Sequence, residues 1–312
     1  MSLPWTEKYR PTKLNNIIGQ PLIIELLKKC IKNNKKPPNL LFYGKPGIGK
    51  TTTILSFCYE LYTKDELQDY VLEINASNDK GIDTIKTSIS TFLDINRSKK
   101  YKILILDEAD AMTQEAQTAL RKKMEYSTNT LFCIICNNKN KIIPALISRT
   151  KLFEFKPLSD EILKQHLKLI YKKEFHNIQI KEEEIDEIMN IIVSLINGDL
   201  REGINLLQNL KYIITENHEK NKKILYEIKG LMPLNELKLL INKIQNIKTN
   251  NDLINTYEDF IIMNYSSKII IKQIIDNNLL NEKQNNKLKK LLDNEIDNDI
   301  IFYRVITIIS NI

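Results

Sequence analysis

The sequence is poor in cysteine, and its cysteines form no framework. Four occur in 312 residues, at Cys30, Cys58, Cys133 and Cys136. Their scattered positions give no support for a disulfide scaffold or an oxidising compartment. Cys133 and Cys136 form a Cys-x-x-Cys, but it lies in the apolar run 131–136 and has no second pair downstream. We interpret both as strand residues rather than as a zinc or redox site.

Long apolar runs are also missing. No segment approaches the length needed to cross a bilayer, and no basic-then-apolar leader follows Met1. We therefore expect an intracellular protein with no membrane partner. At 312 residues with 42% hydrophobic residues, the chain is long enough for two or three domains. Its net charge of +7 favours polyanionic partners, although charge alone decides little.

The first half alternates short apolar runs with amphipathic helical patterns, which predicts a parallel sheet with crossover helices. The predicted strands are 40–43, 71–74, 102–106, 131–136 and 152–155, and a helix is predicted over 50–62. After Pro157 the pattern becomes helical only. This order of elements predicts an α/β domain followed by helical regions.

Two changes of pattern divide the helical part. The segment 217–222 is polar and prone to turns, which predicts a linker. From Tyr226 onward helical periodicity returns, and no glycine follows Gly230. We predict three domains: a sheet domain over 1–157, a small helical domain over 158–222 and an all-helical domain over 223–312.

A phosphate-binding motif follows the first predicted strand. It consists of Gly44, Lys45, Pro46, Gly47, Ile48, Gly49, Lys50 and Thr51. The pattern G-x-x-x-x-G-K-[ST] between a strand and a helix predicts a P-loop, whose glycines let backbone N–H groups surround phosphates. Lys50 would reach the β- and γ-phosphates, Thr51 would offer its hydroxyl to Mg²⁺, and Thr52 belongs to the same predicted site.

An acidic pair completes this prediction. Asp107 and Glu108 follow the apolar run 103–106, so they are expected at the carboxyl edge of the sheet, where open α/β folds bind ligands. Asp107 would hold Mg²⁺, and Glu108 would orient and deprotonate the attacking water. Together with the P-loop, the pair predicts an ATP hydrolase.

Four segments resemble the replication factor C small subunits and occur in that family's order. They are Pro4 to Pro11 (PWTEKYRP), Asn75 to Ile82 (NASNDKGI), Asp107 to Thr113 (DEADAMT) and Ser148-Arg149. The likeness covers roughly the first two hundred residues. It implies a AAA+ module, with 158–222 as its helical lid, and a helical collar over 223–312 through which five subunits assemble.

The resemblance assigns roles to further residues. It implies that Tyr9, Arg10 and Pro11 pack against adenine, with Ile17 and Ile18 in the same pocket; the plainer alternative is that Trp5 and Tyr9 staple the domain edge. Asn137 matches the polar sensor that positions the hydrolytic water. Arg201 matches the lid arginine that reaches the γ-phosphate.

Two further matches concern neighbouring molecules. Arg149 matches the arginine finger that acts on the ATP of the adjacent subunit, and here Thr150 stands where the family usually has cysteine. Lys80 and Lys86, and more weakly Arg121, match basic positions that contact the DNA backbone. In a lysine-rich chain, these side chains would alternatively belong to solvated helix faces.

The resemblance implies a subunit of a clamp loader that uses ATP to open a sliding clamp and load it on primer–template DNA. Its partners would be other loader subunits, the clamp and DNA. Its location would be the nucleus of a eukaryotic cell, or otherwise the cytoplasm or a viral replication site. The alternatives are a scaffold subunit that binds ATP with little hydrolysis, or another AAA+ protein such as a Holliday-junction motor or an origin initiator.

Overall fold

The structure is a computed structural model that describes residues 3–77, 82–95, 100–175, 181–215, 217–263, 265–292 and 298–310. Within these ranges the side chains of residues 82–86, 218, 298 and 299 are not described. The described helices include none that combines the length and the apolar character needed to cross a membrane.

The sheet has five parallel strands. They are β1 (Leu40–Tyr43), β2 (Val71–Asn75), β3 (Lys102–Asp107), β4 (Thr130–Cys136) and β5 (Lys151–Glu154). Their spatial order is β2-β3-β4-β1-β5. The predicted strands are confirmed, and each boundary agrees with the prediction to within one residue.

Helices connect the strands and make up the rest of the described chain. Those from the N-terminus to β5 are α1 (Trp5–Lys8), α2 (Pro21–Lys32), α3 (Lys50–Leu61), α4 (Lys64–Tyr70), α5 (Ile82–Asp94), α6 (Gln114–Tyr126) and α7 (Pro144–Ile147). Those that follow are α8 (Asp160–Glu174), α9 (Glu182–Ile196), α10 (Leu200–Ile213), α11 (His218–Ile228), α12 (Leu234–Gln245), α13 (Asn250–Met263), α14 (Ser267–Asp276), α15 (Glu282–Leu292) and α16 (Asn298–Ser310).

The central strands β3 and β4 are buried on both faces, because their alternate side chains point to opposite sides and helices cover each side. On β3, Ile103 and Ile105 join the core beneath α2 and α3, whereas Leu104 and Leu106 join the core beneath α5 and α6. The cysteines of β4 follow the same rule: Cys133 belongs to the first core and Cys136 to the second. Layers of helix on both faces of a parallel sheet result, as predicted.

The chain divides into two compact units. The first comprises Met1–Asn177 and Ile192–Gln208, and the second comprises Ile178–Ile191 and Asn209–Ile312. The second unit has its own helical core, in which Phe260 and Phe302 stack with their ring centroids 3.6 Å apart. The predicted division into domains at 157 and 222 stays a prediction.

The segment after β5 folds as its pattern predicts. Leu163, Leu167 and Ile170 are buried together on one face of α8. The predicted break at 197–198 lies between α9 and α10, where Asn197 and Gly198 both have positive φ angles, of 48° and 90°. The backbone can reverse there because glycine and asparagine tolerate the left-handed region.

The linker predicted over 217–222 is wrong in its local structure, because α11 begins there. The Asn217 side chain caps this helix by accepting a hydrogen bond from the Lys220 N–H at 3.0 Å. Asn221 is fully buried and exchanges hydrogen bonds with Thr215. The polar residues that suggested a turn thus serve as a helix cap and as a buried link to the preceding segment.

Candidate nucleotide site

A cavity of about 300 Å³ lies at the carboxyl edge of the sheet, within the first unit. The predicted site residues that line it are Tyr9, Arg10, Pro11, Ile17, Ile18, Pro46, Gly47, Ile48, Gly49, Lys50, Thr51, Thr52, Asp107, Glu108, Asn137 and Arg201. Segments separated by almost two hundred residues therefore meet in one place. We call the part around residues 46–52 the phosphate end, and the part around Tyr9, Ile17 and Ile18 the base end.

The loop of the phosphate end needs its glycines. Gly47 and Gly49 have φ angles of +70° and +93°, and Gly49 is the residue before the first turn of α3. A Cβ on Gly44, whose φ is +144°, would lie 2.4 Å from the Phe155 carbonyl oxygen. The loop thus reaches the helix N-terminus in a conformation that other residues adopt with strain.

Lys50 is held in place by oxygen atoms. Its ammonium donates to the carbonyl oxygens of Gly44 and Lys45, both at 2.7 Å, and to Asn137 Oδ1 at 2.9 Å. Burial lowers the pKa of this ammonium, and the positive charge of Arg201 acts in the same direction. Gly44 and Lys45 are not among the residues that line the cavity; their carbonyls instead orient the lysine that does.

The acidic pair lies beside the loop. The Thr51 hydroxyl donates to Asp107 Oδ2 at 2.6 Å, and the other oxygen of Asp107 accepts the Glu108 N–H at 2.8 Å. Glu108 itself has a φ of +53°, a left-handed conformation that is uncommon for a residue with a side chain and is often associated with functional sites. The strand end thus presents two carboxylates with different surroundings.

Asn137 and Arg201 both line the same cavity. Asn137 directly follows β4 and bonds Lys50, so it is fixed to the loop. Arg201, in the first turn of α10, is exposed. One polar group at the phosphate end is therefore preorganised, and one cation lies free to approach a ligand.

Sequence reasoning missed eight lining residues: Thr6, Glu73, Asn75, Cys136, Leu158, His166, Leu200 and Ile204. A signal for His166 existed, since it shares the buried face of α8 with Leu163 and Ile170, three and four residues away. Glu73 offered no signal, because its position on β2 depends on the pairing of β2 with β3. Burial and the nearby charge of Asp107 raise the pKa of Glu73.

A further contact was not predicted. The backbone of Gly47 lies so close to Asp199, which precedes α10, that a Cβ there would be 1.7 Å from Asp199 Oδ1. The same oxygen accepts the Glu202 N–H at 3.1 Å and so caps α10. The phosphate loop therefore touches the start of the helix that carries Arg201.

The predicted arginines Arg149 and Arg121 do not line this cavity. Arg149 donates to Glu125 Oε1 at 2.6 Å and to the Ala145 carbonyl at 3.1 Å. Arg121 lies on α6 with its Nε 4.0 Å from the same Glu125 oxygen. Lys80 and the side chain of Lys86 lie outside the described residues.

Comparison with known proteins shows which family and which fold the region around this cavity resembles. Residues 40–158 match the ATPase family associated with various cellular activities (AAA). A solved structure titled as the Thermotoga maritima RuvB Holliday junction branch migration motor shares 16% identity at a TM-score of 0.56, covering 76% of this chain and 79% of that one. The likeness in structure concerns the fold alone, and with the family match it confirms the predicted AAA+ architecture.

The curated relatives are more similar in sequence. Human replication factor C subunit 5 is 45% identical over 67% of this chain and 60% of its own length. The probable replication factor C subunit 5 of Dictyostelium discoideum is 38% identical over 88% of this chain and 83% of its own. Replication factor C subunit 3 of Saccharomyces cerevisiae is 38% identical over 78% of this chain and 71% of its own. The present chain thus spans about three fifths of the human relative and most of the other two.

Proposed function

Since the chain belongs to the replication factor C subunit family, we propose that it is a clamp-loader subunit that binds and hydrolyses ATP. The observation that carries the proposal is the single cavity in which the P-loop, the acidic pair, Asn137, Arg201 and the N-terminal segment meet. A P-loop alone would fit many nucleotide-binding proteins. Here Tyr9, Arg10 and Pro11 also form one side of the cavity, which we call the N-terminal wall, and α10 contributes Arg201. These two additions favour a AAA+ clamp loader.

At the phosphate end, the chain offers cations and N–H groups to a triphosphate. Lys50 would exchange its bonds to Gly44 and Lys45 for phosphate oxygens, and Arg201 would reach the same group from α10. The N-terminus of α3 adds backbone donors and the positive end of its dipole. The charge of the nucleotide is thus balanced from two separate elements.

The acidic pair divides its work. Thr51 and Asp107 supply neighbouring oxygen donors, which fit the oxygen ligands that Mg²⁺ prefers, so these residues would hold the ion. When bound, Mg²⁺ neutralises phosphate charge and orients the terminal phosphate. Glu108 would accept the proton of the attacking water, and Asn137 would help to position that water.

Arg149 serves a neighbouring subunit in this proposal. It lies outside the cavity, pairs with Glu125 and is partly exposed. A residue that acts on the nucleotide of another chain must be accessible in this way. The proposed partners are therefore other loader subunits, in a hetero-pentamer, together with the sliding clamp and primer–template DNA. Lys80, Lys86 and Arg121 are the proposed DNA contacts, and the nucleus is the proposed location in a eukaryotic cell.

The primary test is the ATPase activity of the purified chain, alone and with its partner subunits, with primed DNA and clamp added separately and together. We expect synergistic stimulation by DNA and clamp, and a loss of about a hundredfold or more in Lys50→Ala, which removes a phosphate ligand. Lys45→Ala is the matched control, because its exposed side chain belongs to the same loop and only its carbonyl is used. Robust activity indifferent to the clamp would point to another AAA+ motor.

The role of Arg149 needs the assembled complex. Arg149→Ala should leave ATP binding by the isolated chain unchanged and should lower hydrolysis at the adjoining subunit's site by about a thousandfold, the scale of arginine fingers. Lys151→Ala is the control, since it removes an exposed positive charge two residues away. A complex that loads clamps with Arg149→Ala as fast as with the unaltered chain would contradict the role.

A further inference from the structure

The N-terminal helix α1 is tied to two helices far along the chain. The Tyr9 hydroxyl, just after α1, donates to Glu174 Oε1 at 2.6 Å, and the Lys8 ammonium pairs with the same oxygen. At the start of α1, the Trp5 N–H donates to Gln208 Oε1 at 2.9 Å. Glu174 ends α8 and Gln208 belongs to α10, so both links cross more than 160 residues of sequence.

The carboxylate of Glu174 lies in apolar surroundings. Glu174 is 8% exposed. Trp5 packs edge-on against Tyr9 and Phe175, with ring centroids 6.3 and 6.1 Å apart, and Phe175 stacks on Tyr171 at 4.2 Å. A carboxylate is costly to bury unless hydrogen bonds and a counter-charge compensate it. Tyr9 supplies such a hydrogen bond and Lys8 a counter-charge.

Tyr9 is held as a donor. Burial, followed by the hydrogen bond to Glu174, raises the pKa of Tyr9 to about 12. The hydroxyl is protonated near neutral pH and donates its hydrogen to the Glu174 carboxylate. Tyr9 itself lines the base end of the cavity, together with the two residues that follow it.

We propose that Glu174 is a positioning residue for nucleotide binding: through Tyr9 and Lys8 it fixes the N-terminal wall, with Arg10 and Pro11, against the base of the nucleotide. This inference rests on the proposed function. Because Glu174 is the last residue of α8, the position of the N-terminal wall depends on that helix as well as on the sheet. A change in the position of α8 would thus change how well the base is held.

The test compares two ligands that differ by the base. MgATP occupies both ends of the cavity, whereas magnesium tripolyphosphate lacks the nucleoside and occupies only the phosphate end. Glu174→Gln keeps the shape but removes the charge, and Tyr9→Phe removes only the hydroxyl. We expect each to weaken ATP binding by about fivefold and to leave tripolyphosphate binding unchanged. The double variant should lose less ATP affinity than the product of the two single losses, because both changes act on the same contact network, in which Lys8 also takes part.

Glu161→Gln is the matched control, since it is an exposed carboxylate on the same helix. Unchanged ATP affinity in both Glu174→Gln and Tyr9→Phe would overturn the inference, and so would an equal loss for the two ligands, which would indicate a merely structural role. A wild-type chain that binds neither ligand would instead overturn the proposed function, and with it this inference.

Discussion

The two ends of the cavity are built in different ways. The phosphate end is made mainly by consecutive residues of one loop and the first turn of α3, with Asp107 and Glu108 from the neighbouring part of the sheet. The base end is made by the N-terminal segment, and the rest of the lining includes residues of two distant regions, α8 with Leu158 before it and α10. The loop of the phosphate end is thus local in sequence, whereas the base end exists only after folding.

This difference assigns the chemistry of hydrolysis to the phosphate end and recognition of the base to the base end. The phosphate end holds its groups through backbone carbonyls and short bonds, such as those that fix Lys50 and Thr51. Its contribution should survive small movements of helices, because backbone groups of one loop move together. The base end depends on contacts such as that of Tyr9 with Glu174, so its contribution should vary with the position of α8. Changes at the two ends should therefore affect different measurements.

The largest effect is expected at the phosphate end from Glu108→Gln. The loss of the proposed general base should lower steady-state ATPase activity by about 10²- to 10³-fold, whereas ATP affinity should change little because shape and fold are kept. Glu115→Gln, an exposed carboxylate on α6, is the control. If Glu108→Gln left turnover unchanged, the chain would act as an ATP-binding scaffold. The assignment of hydrolysis to the phosphate end would then be wrong.

A smaller effect is expected from Gly47→Ala, which tests whether the phosphate end depends on the contact of its loop with Asp199. The new Cβ would meet Asp199 at 1.7 Å in a residue whose φ is +70°. We expect ATP affinity to fall by about tenfold, because the loop or the start of α10 must move. Gly230→Ala has a similar φ of +63° with nothing within 4 Å, so it should cost only about 1 kcal/mol of stability. Equal ATP affinity in both variants would show that the Asp199 contact is irrelevant.

The same division explains what the sequence could predict. The strands and the phosphate end follow from short patterns, since a strand, a glycine loop and a helix start are adjacent in the chain. The contact of Asp199 with Gly47 arises from packing between elements more than a hundred residues apart, which no local pattern encodes. Helical spacing could place His166 on the buried face of α8, but not in the cavity. The error at 217–222 has a different cause: Asn217 caps a helix, and Asn221 is a buried partner of Thr215 only six residues away, although asparagines are also typical of turns.

The smallest effect is expected at the base end, from pH. Burial, followed by the charge of Lys173, lowers the pKa of His166 from its ordinary value of 6.5. The unfolded chain therefore binds more protons than the folded chain just below that value, and stability should fall as the pH falls. For one proton the slope is at most about 1.4 kcal/mol per pH unit.

Thermal unfolding midpoints of the unaltered chain and of His166→Gln, measured between about pH 7.5 and 5.5, isolate this term because other groups titrate equally in both proteins. The midpoint of the unaltered chain should fall more steeply with decreasing pH than that of the variant. Parallel curves would show that His166 titrates alike in both states, and hence that the base end is open to water. A wild-type curve that falls still more steeply when ATP is present would show that nucleotide binding favours the neutral imidazole, because ATP would then lower the pKa of His166 further, and ATP affinity itself would fall with decreasing pH.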